Sequence, residues 1–239
     1  MKIVLVCIAK NEDPYIQEWV DYHIKLGFHK IFIYENDWES KIKNENVVTV
    51  PTPGVVQQLP AYNNFIRQYR NDYDWAAFLD VDEFLVLKKH KTISDFISDY
   101  KNEDAIGINW VLFGDNGLTS SEEFSVIKRF TKRGIKPNVH IKSIVNLKKV
   151  GYMHVHNPNG KSVDTNFKRI DNSPFNQNGP IDVAQINHYF CKTKEEFIKK
   201  RNRGRADTGT FRDMSDFDSH NINEIDDFYA YDFFYNKLV

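Results

Sequence analysis

The stretch Lys2-Ile3-Val4-Leu5-Val6-Cys7-Ile8-Ala9 decides the fold. It is short, almost wholly apolar and rich in β-branched residues, as suits a strand covered on both faces at the centre of a parallel sheet. Beyond it Asn11 and Asp13 can cap a helix and Pro14 suits a first turn, while Ile16, Trp19, Val20, His23 and Leu26 recur at helical spacing until Gly27. Lys30 to Tyr34 (KIFIY) reads as the next strand. Strand, helix and strand in so short a span make a βαβ unit, whose crossover is right-handed almost without exception.

A second unit follows the turn at Pro51 to Gly54, with Leu59, Tyr62, Ile66 and Tyr69 as an apolar helical stripe ahead of a strand from Trp75 to Leu79. In open parallel sheets ligands bind beyond the carboxyl ends of the strands, which gives weight to three polar places: Lys10-Asn11-Glu12, Glu35-Asn36-Asp37 and Asp80-Val81-Asp82-Glu83. After a helix from Asp95 to Tyr100 come strand-like runs at Ala105–Phe113, Phe124–Phe130 and Val139–Val150, the pattern of a mixed or antiparallel half. Thr193-x-x-Glu196 forms a capping box before a basic helix, and Ile222, Ile225, Phe228, Tyr229 and Phe233 predict a last amphipathic helix. The expected architecture is one compact α/β domain over residues 1–206, followed by an aromatic and acidic extension over 207–239.

Composition narrows the function classes. The chain has 239 residues with 32 Lys+Arg against 33 Asp+Glu, so no global field draws it to nucleic acid. At 41% apolar with no run of bilayer length, wholesale disorder and a transmembrane anchor are both excluded. Two cysteines, Cys7 and Cys191, make no disulfide framework, and the opening residues lack a signal-peptide core. A cytoplasmic setting is expected, at most at the inner face of the membrane. Charge is uneven: Lys192 to Arg205 carries seven Lys/Arg against two Glu, and Ala206 to Val239 eight acids against two bases. The first segment lacks the aromatics of a single-strand nucleic-acid groove, and the acids of the second argue against direct contact with anionic lipid.

The chemistry-bearing feature is Phe78-Leu79-Asp80-Val81-Asp82-Glu83-Phe84-Leu85. Three carboxylates within four positions repel one another unless solvated or bridged by a cation. Oxygen ligands suit Mg²⁺ or Mn²⁺, which typically joins one or two protein carboxylates to substrate phosphates. A solvated turn is the plain alternative.

Around this motif lie others in order. Lys10-Asn11-Glu12, Glu18-Trp19-Val20-x-x-His23-x-x-x-Gly27-Phe28 and Ile33-Tyr34-Glu35-Asn36 open the chain. Gln58-x-x-Ala61-Tyr62-Asn63, Trp110-x-x-Phe113-Gly114 and Asn187-His188-Tyr189-x-x-Lys192 through Arg203-Gly204 follow. Over residues 3–206 this series resembles bacterial family-2-like glycosyltransferases related to family 92. The resemblance implies a GT-A fold, in which a Rossmann-like nucleotide-binding half joins an acceptor-binding half. It also implies a UDP-sugar donor, a divalent metal and a glycan or lipid-linked acceptor, with polysaccharide synthesis as the setting. By that likeness Asp80 would contact the ribose or the metal shell, Asp82 would ligate the metal, and His188 would be a further ligand. Ala9, Asn11, Glu12, Asn36 and Asp37 would meet base and ribose, although Asn11 also serves as a helix cap. Glu35 stands where the family more often has Asp, which leaves Glu35 or Asp37 to face the base. Asn63 would reach the nucleotide or lie on a solvated helix face.

Lys200, Arg203 and Arg205 follow His188 closely and would neutralise a leaving diphosphate, or form an ordinary solvated helix face. Inverting transfer needs a carboxylate base; Asp115 in Phe113-Gly114-Asp115-Asn116-Gly117 is the candidate, beside its reading as a plain turn. His154 and His156 alternate along a strand-like run and would line the acceptor side. Two rival classes remain: metal-dependent nucleotidyl transfer, for which no Walker-type loop is present, and a carbohydrate- or partner-binding module using the aromatic tail.

Overall fold

The computed structural model describes residues 1–120 and 125–236. Along the chain run β1 (Ile3–Ala9), α1 (Asp13–Lys25), β2 (Lys30–Glu35), β3 (Val47–Pro51), α2 (Gln58–Tyr69), β4 (Trp75–Phe78), β5 (Glu83–Leu87), α3 (Ile93–Asp99) and β6 (Ala105–Leu112). Then follow α4 (Val126–Arg129), β7 (Lys132–Arg133), β8 (Ile141–Asn146), β9 (Ser162–Val163), β10 (Arg169–Ile170), β11 (Ala184–His188), α5 (Lys194–Asn202), α6 (Met214–His220), β12 (Ile225–Asp226) and α7 (Tyr229–Tyr235).

The first half of the sheet is parallel, as expected. β1 lies between β2 and β4, parallel to both, and β3 adds to β2 in the same sense. Period-2 alternation divides β1 between two layers. Ile3, Leu5 and Cys7 pack with Trp19 and Val20 of α1 on one face, and Val4, Val6 and Ile8 pack with Tyr62, Phe65 and Ile66 of α2 on the other. Full burial of each large apolar side chain stabilises by about 1.5–3 kcal/mol, so a strand covered on both faces is a strong anchor. Gly27, at φ +102°, turns the chain out of α1 where a side chain would be strained.

The second half is mixed. β8 runs antiparallel to both β4 and β6, while β11 lies parallel to β6 and antiparallel to β5. The register of β11 sets His188 opposite Glu83 and Leu112. This is a mixed α/β sheet with a parallel centre.

Two local readings change. Of the expected strand Phe124–Phe130, Phe124 lies outside the described residues and Val126–Arg129 is a helical turn, capped by the Ser125 hydroxyl accepting from the Lys128 N–H. With only Val126 and Ile127 apolar ahead of Lys128 and Arg129, so short a segment cannot separate strand from helix by periodicity. The amphipathic helix expected from Ile222 is shorter: Ile225–Asp226 pairs with β7, and the helix begins at Tyr229; Lys237 to Val239 lie outside the described residues. The chain after residue 206 packs onto the body. Phe217 of α6 meets Phe197 of α5 at 5.4 Å, and Phe233 of α7 meets Tyr22 of α1 at 5.1 Å, edge to face. Among the described residues no helix is long and apolar enough to cross a membrane.

Candidate functional site

Beyond the carboxyl ends of β1, β2 and β4 lies a cleft of about 350 Å³, closed on its far side by the end of β11 and the segment from Asn202 to Arg212. Its floor begins with the turn after β4. Asp80 accepts hydrogen bonds from Gln58 Nε2 (2.9 Å), Tyr62 Oη (3.3 Å) and Lys142 Nζ (2.9 Å). Glu83, fully buried at the start of β5, accepts from the Asp80 N–H at 2.8 Å and lies 3.4 Å from Lys142. Burial pushes the Glu83 carboxyl well above its usual range, while Asp80 and Glu83 together hold the buried Lys142 ammonium charged. One cation and one anion therefore balance inside the protein.

Asp82 takes the other position. Its Oδ2 accepts from Lys200 Nζ at 2.5 Å, and its Oδ1 lies 3.7 Å from His188 Nε2. Burial alone would raise its carboxyl, but Lys200 and His188 outweigh that and hold it well below the usual range. Burial lowers His188 to about 4 against the pull of Asp82, so the imidazole is neutral. A neutral imidazole facing a carboxylate is a donor pair suited to a divalent cation that completes its shell with phosphate oxygens and water. Asp80 does not join this pair, because Lys142, Gln58 and Tyr62 occupy its oxygens; among the described residues no group of three His, Cys, Asp or Glu is assembled to hold an ion. The repulsion that called for a metal at all three acids is relieved at Asp80 and Glu83 by a lysine instead.

Ala9, Glu12, Asn36, Lys200, Arg203 and Arg205 also line the cleft. Each cation among them has its own anion: Lys200 has Asp82, Arg203 has Glu12, and Arg205 has Asp207 at 2.9 Å. The other expected residues stand elsewhere. Asn11, at φ +53°, lies outside this lining and offers its carbonyl to Arg203. Asp37 is spent on the Gly54 N–H (3.0 Å) and Lys10 (3.4 Å), shaping the loop after β3. Asn63 clasps the backbone of Met153 through two 2.9 Å hydrogen bonds. Glu35 caps Ser40 N–H at 2.8 Å. Asp115 is a turn residue, bonded to the Gly117 N–H, Asn221 and Asn223, and is absent from the cleft lining. Of the two alternating histidines only His156 reaches the cleft, beside Trp110.

Lys142, paired with Asp80, and Arg212, in the cleft lining, are charged neighbours that motif reading missed. Lys142 interrupts the apolar run Ile141 to Val145, and a lysine inside a buried strand must have a partner, a signal available in the pattern. Arg212 lay hidden in a segment that reads as an acidic tail.

Helix α5 carries Lys200 and Arg203 into place and is tied down at its first turn. Thr193 and Glu196 form the capping box, and Glu196 also accepts from Arg129 (2.7 and 2.8 Å) and Tyr15 Oη (2.7 Å). Burial would raise Glu196, but these donors lower it from 4.5 to about 2. Its contribution is complete above pH 4.5 and is lost as pH falls through 2, amounting to about 3 kcal/mol. The stability gap between wild type and Glu196→Gln is expected to narrow steadily from pH 5 to pH 2.5 in urea titrations. A gap independent of pH would remove this account.

Comparison with known proteins follows the same lines. The sequence model of glycosyltransferase family 92 matches residues 54–225. A glycosyltransferase family 92 protein of Arabidopsis thaliana is 28% identical over 155 residues, which is 56% of this chain and 27% of that protein. One of Ricinus communis is 26% identical over 210 residues, 80% of this chain and 35% of that protein. The chain thus spans about a third of the length of the curated relatives it matches. Among solved structures, S. aureus TarS aligns with a TM-score of 0.34 at 14% identity, covering 62% of this chain and 28% of TarS. HddC from Yersinia pseudotuberculosis aligns with 0.33 at 10% identity, covering 65% of this chain and 81% of HddC. With the family match spanning most of the chain and taking in the Asp80–Glu83 turn, His188 and the segment through Arg212, this protein belongs to glycosyltransferase family 92.

Proposed function

We propose that this chain transfers a sugar from a nucleoside diphosphate, UDP in the first instance, to a hydroxyl of a glycan or lipid-linked acceptor, with inversion and with help from Mn²⁺ or Mg²⁺. The observation that carries the reading is the meeting of Asp82 with a neutral His188 in a cation-rimmed cleft at the carboxyl ends of parallel strands. Asp82 and His188 would hold the cation, which when bound supplies charge neutralisation for the departing diphosphate.

The chain's own residues do the rest. Asp80, fixed by Gln58 and Lys142, keeps a partly exposed carboxylate toward the cleft as an acceptor for ribose hydroxyls. His156 stands on the acceptor side. Its Nδ1 faces the Ile141 carbonyl at 3.2 Å and must carry the proton there, so Nε2 keeps a lone pair that can orient a hydroxyl. Burial lowers this imidazole to about 3, so it stays neutral while doing so. The Trp110 indole N–H is buried, has no hydrogen-bond partner among the described residues, and offers a donor to a sugar oxygen.

The test is a panel of nucleotide-sugars incubated with the protein, Mn²⁺ and a mixed hydroxyl acceptor set, followed by product analysis. Release of UDP that stops on chelation is the expected result. Pyrophosphate release would assign nucleotidyl transfer, and no binding of any donor with metal present would remove the donor assignment.

A further inference from the structure

The cleft's cations can be paired off one by one. Lys200 is matched by Asp82, Arg203 by Glu12, Arg205 by Asp207, Lys10 by Asp37, and Lys142 behind the wall by Asp80. Arg212 is left over. Its Nε is buried and without a hydrogen-bond partner, and its guanidinium forms no ion pair among the described residues. Its Cζ lies 5.7 Å from the Phe190 ring, which the Lys200 ammonium also approaches, at 4.1 Å.

Arg212 is nevertheless held in place. Its carbonyl accepts from Arg201 Nε at 2.8 Å, and the preceding loop is tied by the Gly209 N–H to the Arg205 carbonyl (3.0 Å) and the Arg205 N–H to the Thr210 carbonyl (2.9 Å). The residue as a whole is half-buried, and a guanidinium whose buried Nε has no acceptor is costly to keep unless a ligand brings one. Fixing it beforehand lowers the cost of binding.

We propose that Arg212, rather than Lys200, Arg203 or Arg205, is the residue that binds the diphosphate oxygens of the nucleotide donor. This deepens the donor reading given above and rests on it. The planar fork suits two phosphate oxygens at once, which a lysine cannot match. Burial, with Arg205 and Arg203 nearby, outweighs the pull of Asp82 and lowers the Arg212 pKa from its ordinary value, in keeping with a cation that gains from an arriving anion. Arg203 and Arg205, in contrast, are raised by their carboxylates and serve as struts of the loop.

The experiment is calorimetric titration of the intact protein with UDP, GDP and CDP in the presence of Mn²⁺. For the diphosphate that binds best, Arg212→Ala is expected to weaken the dissociation constant by about 10- to 100-fold, and Arg212→Lys by less. Lys199→Ala removes a cation from the same region that is exposed and paired with Glu195, and is expected to leave affinity within twofold. Thermal melts of each variant confirm that it is folded. Arg212→Ala binding like wild type overturns the assignment while the donor reading stands. An equal loss in Lys199→Ala also overturns it, since general charge would then be the cause. Failure of wild type to bind any of the three removes the donor reading itself, and this assignment with it.

Discussion

Replacing Asp82 with Asn is expected to lower kcat/KM for the nucleotide-sugar by about a thousandfold, with the melting temperature shifted by only a few degrees. The side chain keeps its shape and an oxygen for Lys200, but it loses the charge that a hard cation requires of its ligand. Charge neutralisation at a leaving phosphate is worth several kcal/mol, and each 1.36 kcal/mol is a factor of ten, which gives the scale of the loss. Asn is preferred to Ala because Ala would leave the Lys200 ammonium facing only the Phe190 carbonyl at 3.0 Å and its ring. Steady-state kinetics with a Mn²⁺ titration read the result. Turnover within tenfold of wild type at saturating metal would show that Asp82 is a structural partner of Lys200 and nothing more.

The largest effect on stability is expected at Lys142. Replaced by Met, it leaves Asp80 and the buried Glu83 without the ammonium that balances them, at a cost of about 3 kcal/mol. Chemical denaturation is expected to show a lower midpoint at unchanged slope. The pair also makes an internal check: adding Asp80→Asn to Lys142→Met removes the orphaned charge and should recover a good part of the loss. A single variant within 1 kcal/mol of wild type, or a double variant worse than the sum of the singles, would end the claim that this lysine stands where a metal was expected.

The sequence carried the first βαβ unit because periodicity is a local property: the alternation in Val4 to Ile8 and the helical spacing from Ile16 to Leu26 each state which face is buried. The capping box at Thr193 and Glu196 was legible for the same reason. Asp115 and Asn63 were not. A turn carboxylate and a helix amide look alike in sequence whether they face a ligand or, as here, Asn221 and the Met153 backbone. The helical turn at Val126 was equally hidden, since four residues, two of them apolar, fit either structure.

What the residues alone determined is the sheet's parallel centre and the acidic turn after its fourth strand. How those acids are compensated was decided only in three dimensions, by an ammonium 62 positions away on β8 and another 118 positions away on α5. The same holds for Arg212, whose guanidinium forms no ion pair among the described residues, a fact no local pattern encodes. Hydrophobic periodicity is written within a single element, whereas charge compensation depends on which distant side chains share the same low-dielectric space.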